Sequence, residues 1–170
     1  EALDEFADRP KLNTREELMV ATHECGHAIC ALHLPDIPAI DRISVRGDLG
    51  GALGYVLTDD PTDKHTERKS FLEDRICMLM GGREAELAIL GDIATGSLQD
   101  IDIATAIARH MVEQLGWGPA GVGVRQYTGY RRERQDFEMF DRMRGRIEDA
   151  VLDIRETQRS RSRALIEEHK

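Results

Sequence analysis

The sequence predicts a mainly α domain with a small β-sheet or hairpin, and three observations carry that expectation. Several stretches repeat apolar residues at helical spacing, only two short β-rich stretches interrupt them, and glycine or proline marks most junctions. The 170 residues are the size of one domain and enough to bury a proper core. Residues 1–170 are therefore read as one unit, with 1–13 as a lead-in segment and 136–170 as a C-terminal helical tail.

The first helix is predicted to start at a capping box of Thr14 with Glu17 three residues on, and to end near Leu34, before Pro35 and Pro38. Between Leu18 and Leu34 it is apolar nearly all round, the pattern of a buried helix. Arg42 to Arg46 and Gly54 to Thr58 read as neighbouring strands, separated by the glycine-rich stretch from Gly47 to Gly51. Asp59 to His65 is a polar loop. A second helix follows from about Glu67 to Leu90, with the stripe Phe71, Leu72, Ile76, Leu79 and Met80; its Gly81-Gly82 pair weakens the middle and permits close packing. Gly91 to Gly96 is a short connection to a third helix, about Leu98 to Leu115, which Gly116-Trp117-Gly118-Pro119 ends. Gly121 to Arg134 reads as a long loop. From about Asp136 to Lys170 a charged helix repeats Phe137, Phe140, Ile147, Val151 and Ile154 at helical spacing and should lie along the domain surface.

A net charge of −9 and a pI near 5.2 argue against nucleic acid or an anionic membrane as partner. Cys25, Cys30 and Cys77 are odd in number and show no close pairing in sequence. They match neither a disulfide framework nor a thiolate zinc site, so a reducing, cytoplasmic setting is expected. No apolar run reaches membrane-spanning length. Starting at Glu1 and stopping in charged helix, the sequence reads as a piece of a longer chain.

His23-Glu24-Cys25-Gly26-His27 is the pattern that carries chemistry. Helix positions four apart differ by about 40° in direction and roughly 6 Å along the axis, so both imidazoles leave one face and converge on one ion. Glu24 stands beside them as the general base, able to hold a water and take its proton. Two histidines and a carboxylate in a buried helix need partners, because a bare buried carboxylate costs several kcal/mol. A metal with a bound water satisfies all three. The expectation is a zinc peptidase site.

Catalytic zinc takes three protein ligands and keeps one open position. His33 would complete a His-Glu-x-x-His-x-x-Gly-x-x-His spacing, but Cys30 stands where that pattern needs glycine to turn the chain back. Without that turn His33 points roughly 100° away from the other two. It is better read as a helix-end histidine beside the carbonyl dipole. The acidic candidates are Glu73, Glu84 and Glu86 on the second helix, and Asp100 and Asp102 on the third. Ile101, Ala104, Ile107, Ala108, Met111, Val112 and Leu115 define the third helix's apolar face. Asp100 lies about 50° from its centre, whereas Asp102 falls on the opposite face with Arg109 and Glu113. A capping box with Ser97 would also account for Asp100, so helical phase favours it as ligand only modestly.

The chain resembles the peptidase domain of the FtsH family of ATP-dependent zinc proteases. The matching stretches are Ala21-Thr22-His23-Glu24-Cys25-Gly26-His27-Ala28, Gly81-Gly82-Arg83-Glu84-Ala85-Glu86, the run from Thr95 to Thr105, and Ala108-Arg109-His110-Met111-Val112. They cover roughly residues 14 to 118. The resemblance implies Asp100 as third ligand and Glu86 as a partner behind the ligands. Cys25 departs from the family's usual alanine, Leu87 from a common second glutamate, and the connection before Thr95 is short.

The resemblance further implies one zinc per chain and hydrolysis of unfolded or translocated protein substrates. ATP would act only through a module absent from this sequence, which contains no Gly-x-x-x-x-Gly-Lys-Ser/Thr loop. A hexamer is implied, with a parent that membrane anchorage would suit and no membrane contact by this part. Arg131, Arg132 and Arg134 are candidates for a subunit interface or a solvated loop. The rival readings are a thermolysin-type peptidase with Glu84 or Glu86 as ligand, and a non-proteolytic assembly or adaptor domain that keeps zinc for structure.

Overall fold

The computed structural model describes residues 12–45, 53–59, 66–127 and 134–170, with side chains in the last stretch described from residue 141. The lead-in before Leu12, the glycine-rich stretch, residues 60–65 of the polar loop, and the expectations for Arg131, Arg132, Arg134, Phe137 and Phe140 lie outside what is described.

Four helices and one strand pair make up the described fold: α1 (Thr14–His33), β1 (Ile40–Ser44), β2 (Tyr55–Thr58), α2 (Lys69–Ala85), α3 (Leu98–Glu113) and α4 (Arg134–His169). The mainly α expectation holds. The start of α1 differs by one residue from the predicted capping box. Asn13 caps the helix, accepting from the backbone N–H groups of Arg15 and Glu16, while the Glu16 side chain accepts from Asn13 N. Asn at this position competes as well as Thr for the first helical N–H groups, and it has the reciprocating glutamate three residues on.

α1 is less enclosed than its sequence suggested. Leu18 is 56% exposed and Leu32 70%, while Thr22, His23, Glu24, Gly26, His27, Ala28, Cys30 and Ala31 are buried. The buried face is thus the one that carries the polar motif. It lies against α2, and the crossing is very close: a Cβ at Gly26 would meet the Gly81 carbonyl and sit 2.6 Å from Ala85 Cβ. Two glycines facing each other let the backbones touch, which sets how deep the motif lies.

β1 and β2 pair antiparallel, with Ser44 opposite Tyr55 and Ile43 opposite Val56, and one irregularity between Ile40 and Arg42. α2 stops earlier than the predicted Leu90. At Glu86 the helix widens into a π turn, Glu86–Leu90, then a 3₁₀ turn, Thr95–Ser97, leads into α3. Such single π turns re-aim side chains and concentrate at functional sites.

The main core joins α2, α3 and α4 through Phe71, Leu72, Ile76, Met80, Ala104, Ala108, Met111, Val112, Ile147, Ala150 and Val151. Ile147 and Val151 are buried in that core, so α4 is part of the packing and more than a surface tail. Polar pins add to it. Buried Asp74 of α2 accepts from Arg161 of α4 at 2.5 Å and from the backbone N–H of Asp36, just past α1, at 3.1 Å. On α3, Arg109 bridges Glu113 at 2.7 Å and Glu148 of α4 at 2.8 Å. Glu113 is buried by that contact, contrary to its expected place on the outer face. No described helix is long and apolar enough to cross a membrane.

A candidate metal centre at the crossing of two helices

α1 delivers His23 and His27 on one face, and the first turn of α3 delivers Asp100 to the same point. His23 Nε2 is 3.0 Å from His27 Nε2 and 3.0 Å from Asp100 Oδ2; His27 Nε2 is 3.4 Å from that oxygen. These three are the only cluster of its kind among the described residues. Ser97 makes no capping bond to α3; its hydroxyl donates to the Ala94 carbonyl instead. Asp100 is therefore not engaged in the alternative capping box.

The far side of each ring fixes its tautomer. His27 Nδ1 lies 2.8 Å from the Met78 carbonyl, an acceptor only, so Nδ1 carries the hydrogen. His23 Nδ1 lies 2.7 Å from Glu86 Oε1, while Glu86 Oε2 accepts from Ala94 N at 2.5 Å. With both Nδ1 atoms donating, the neutral rings turn two Nε2 lone pairs toward each other and toward a carboxylate oxygen. Such an arrangement is repulsive unless a cation or added protons sit among the three. Donors about 2.0–2.1 Å from a tetrahedral zinc are roughly 3.3 Å from one another. The observed separations of 3.0–3.4 Å fit that donor set.

Electrostatics point the same way. Burial raises the Asp100 carboxyl, but hydrogen bonds and charge from His23 and His27 outweigh it and hold it down at about 2. Burial likewise opposes a charged His27, yet Asp100 and the Met78 carbonyl raise it above the ordinary imidazole value. Glu24 behaves differently. Desolvation raises its pKa, the two histidines only partly offset this, and no described residue hydrogen-bonds its carboxylate.

Glu24 faces a cleft of about 600 Å³ whose walls include Met19, Val20, Leu53, Gly54, Val56 and Leu79, with His23, His27 and Asp100 among its lining residues. A Cβ at Gly54 would fall 2.7 Å from Glu24 Oε1, so only glycine lets the start of β2 approach the acid. Gly82 does the same under His23, where a Cβ would lie 2.5 Å from Nε2 and 2.6 Å from Nδ1.

The remaining candidates go elsewhere. His33 stacks on His169 at the ends of α1 and α4, with centroids 3.7 Å apart. Glu73 pairs with Lys69 at 3.6 Å, and Asp102 is exposed. Glu84 is buried against Arg83 at 2.5 Å and Arg159 at 3.4 Å, away from the imidazoles. Glu86 meets His23 on the nitrogen that points away from Asp100. Neither glutamate of the thermolysin-type alternative stands where a third ligand would. The Met78 carbonyl and the π turn that aims Glu86 have no side-chain signature. Gly81-Gly82 was the one visible sign of close packing there.

The cleft, the two imidazoles, the carboxylate and the desolvated glutamate are the groups that a metallopeptidase domain uses. The chain belongs to peptidase family M41, whose model matches residues 11–170 and so includes α4. It is 34% identical over 168 residues to the ATP-dependent zinc metalloprotease FtsH of Pseudomonas putida, covering 94% of this chain and 27% of that protein. It is 34% identical to FtsH 2 of Sorangium cellulosum, covering 94% of this chain and 28% of that protein. A shorter stretch of 107 residues, 63% of this chain and 17% of the relative, is 44% identical to FtsH 1 of Methylacidiphilum infernorum. The chain thus spans about a quarter of the length of the first of these relatives.

Proposed function

We propose that His23, His27 and Asp100 hold one zinc ion and that the domain hydrolyses peptide bonds of unfolded or translocated protein substrates. The observation that carries this reading is the convergence of three electron-pair donors, two of them imidazoles whose tautomers are set from behind. When bound, zinc supplies Lewis-acid polarisation of the scissile carbonyl and a water acidic enough to attack near neutral pH.

Glu24 takes the proton of the attacking water and passes it to the leaving amine. Its desolvated carboxylate suits both tasks, since burial makes it a stronger base than a solvated glutamate. Glu86 and the Met78 carbonyl hold the rings in orientation and keep both Nε2 lone pairs available. Gly54 and, from β2, Tyr55 and Val56 line the cleft. A substrate in extended form can add as a strand along that edge, taking sequence-tolerant backbone hydrogen bonds.

The parent protein is proposed to be an ATP-dependent protease in which an ATPase module feeds a ring of such domains, six by the resemblance. The P. putida and S. cellulosum relatives carry that activity in their names.

The test is zinc content with casein hydrolysis. Glu24→Gln should retain zinc and lose hydrolysis by a factor of about 10² or more. Asp100→Asn should lose zinc. Full zinc in Asp100→Asn rejects the ligand set, and full hydrolysis in Glu24→Gln rejects the base. A zinc-loaded, assembled wild type that leaves unfolded substrates intact points to the adaptor reading.

A further inference from the structure

A second cavity, of about 390 Å³, opens where α2, α3 and α4 meet. Its walls are Met80 and Arg83 of α2, Ile101 of α3, and Arg155, Glu156 and Arg159 of α4. Three guanidinium groups thus share one hollow in a chain whose net charge is −9. Like charges repel, so such a hollow needs anions to offset them.

Two of the three arginines have internal partners. Arg83 Nη1 donates to Glu84 Oε1 at 2.5 Å, and Arg159 Nη1 lies 3.4 Å from the same oxygen. Arg159 Nε also donates to Glu156 Oε2 at 2.8 Å. Glu84 is fully buried and holds both heads in place, while Glu156 is half exposed and screened by water. Arg155 is different. Its Nε is buried with no hydrogen-bond partner among the described residues, and no described carboxylate pairs with its guanidinium. Leaving a buried donor of a charged group unmade is costly, so an acceptor from outside is called for. A water can satisfy one donor, but it does not offset the positive charge that three guanidinium groups against two carboxylates leave. The donors stand on two walls, Arg83 on α2 and Arg155 with Arg159 one turn apart on α4. A planar carboxylate meets one guanidinium fork, whereas a tetrahedral oxyanion presents oxygens to several.

We propose that this cavity binds a tetrahedral oxyanion of the phosphate class, as the free ion or as the end of a phosphomonoester, between Arg155 and the heads of Arg83 and Arg159. The bound anion pins α2 to α4. It also adjoins the metal centre along the chain, since Arg83 follows Gly82, which lies under His23, and Ile101 follows Asp100. The site does not depend on the zinc reading, because its lining includes none of His23, Glu24, His27 and Asp100.

Isothermal titration calorimetry of the whole chain with inorganic phosphate tests this, at constant ionic strength set with chloride because such contacts are screened. One phosphate per chain should bind with a Kd of about 1 mM or tighter. Arg155→Met keeps the length of the side chain and both contacts to Glu84, and should weaken binding by about 10-fold or more. Glu156→Gln removes a negative group from the wall at an exposed position, so the fold is kept and phosphate should bind several-fold tighter. Glycerol 3-phosphate distinguishes the sources: binding tighter than phosphate assigns the site to a phosphomonoester, and weaker binding assigns it to the free ion. Acetate should bind about 10-fold more weakly than phosphate. Acetate binding as tightly as phosphate overturns the proposal, as does the lack of saturable binding up to about 10 mM phosphate. Unchanged affinity in Arg155→Met overturns it too, since the phosphate would then sit elsewhere, the metal centre included. Should Arg155→Met not fold, Glu156→Gln decides alone, and weaker or unchanged binding there rejects the site.

Discussion

Gly82 lies directly beneath the imidazole of His23: a single methyl there would stand 2.5 Å from Nε2 and 2.6 Å from Nδ1. The ring's position is thus set by what α2 lacks as much as by what it provides. Gly82→Ala should leave the helix content unchanged and weaken zinc binding by roughly 10–100-fold, the size seen when a ligand's orientation is disturbed. Competition against a chelator, with circular dichroism as control, reads both quantities. Unchanged affinity would mean that the ring moves aside freely.

Glu86 holds the same ring from the other side, through His23 Nδ1 at 2.7 Å. Glu86→Gln keeps an acceptor but removes the negative charge, so zinc affinity should fall by about 10-fold or more while the fold stays intact. A complete loss of zinc, equal to that of Asp100→Asn, would instead make Glu86 a ligand.

Two glycine replacements should have opposite effects. Gly26→Ala pushes a methyl into the Gly81 carbonyl and should cost about 3 kcal/mol, lowering Tm by roughly 6–12 °C. Gly145 lies in α4 with no described atom within 4 Å of its added Cβ. Gly145→Ala should stabilise by about 0.5–1 kcal/mol through helix propensity alone. Thermal unfolding of the two variants checks both signs.

Ile147 is 1% exposed and packs in the core that also holds Met111 and Ile76. Ile147→Ala should destabilise the protein by about 2–4 kcal/mol in denaturant titration. A surface tail would give a change within about 0.5 kcal/mol.

The metal-free protein should show a definite pH window. Asp100 is depressed to about 2, so its stabilising effect is present above the ordinary carboxyl value and is lost as pH falls toward 2. His27 is raised, so its contribution is complete below about 6.5 and fades as pH rises through its elevated value. The Tm advantage of metal-free wild type over Asp100→Asn should therefore be greatest between about pH 4 and 6.5 and shrink on either side. A difference that stays unchanged below and above that window would show that the carboxylate and imidazole are not coupled.

Much of the centre was legible in the one-dimensional pattern. His23, Glu24 and His27 needed only helical geometry, because four residues is close to one turn. Helical phase brought Asp100 toward the core side of α3 but left capping by Ser97 as a rival, and only the observed Ser97–Ala94 contact removes it. The exposure of Leu18 and Leu32 shows the limit of such reasoning. An apolar helix tells which residues can be buried, while the number of neighbours available decides which are.

The sequence by itself determined the helical architecture, the paired imidazoles with their base, and the short strand pair, since each depends on residues near one another in the chain. Tertiary structure alone decided that Asp100 meets those imidazoles across 77 residues, that Glu86 and the Met78 carbonyl fix the tautomers, and that Cys30 meets Ser162 of α4. The physical reason is that these contacts are made where separate helices cross. The crossing of α1 and α2 depends on the absence of side chains at Gly26 and Gly81, which local periodicity does not encode.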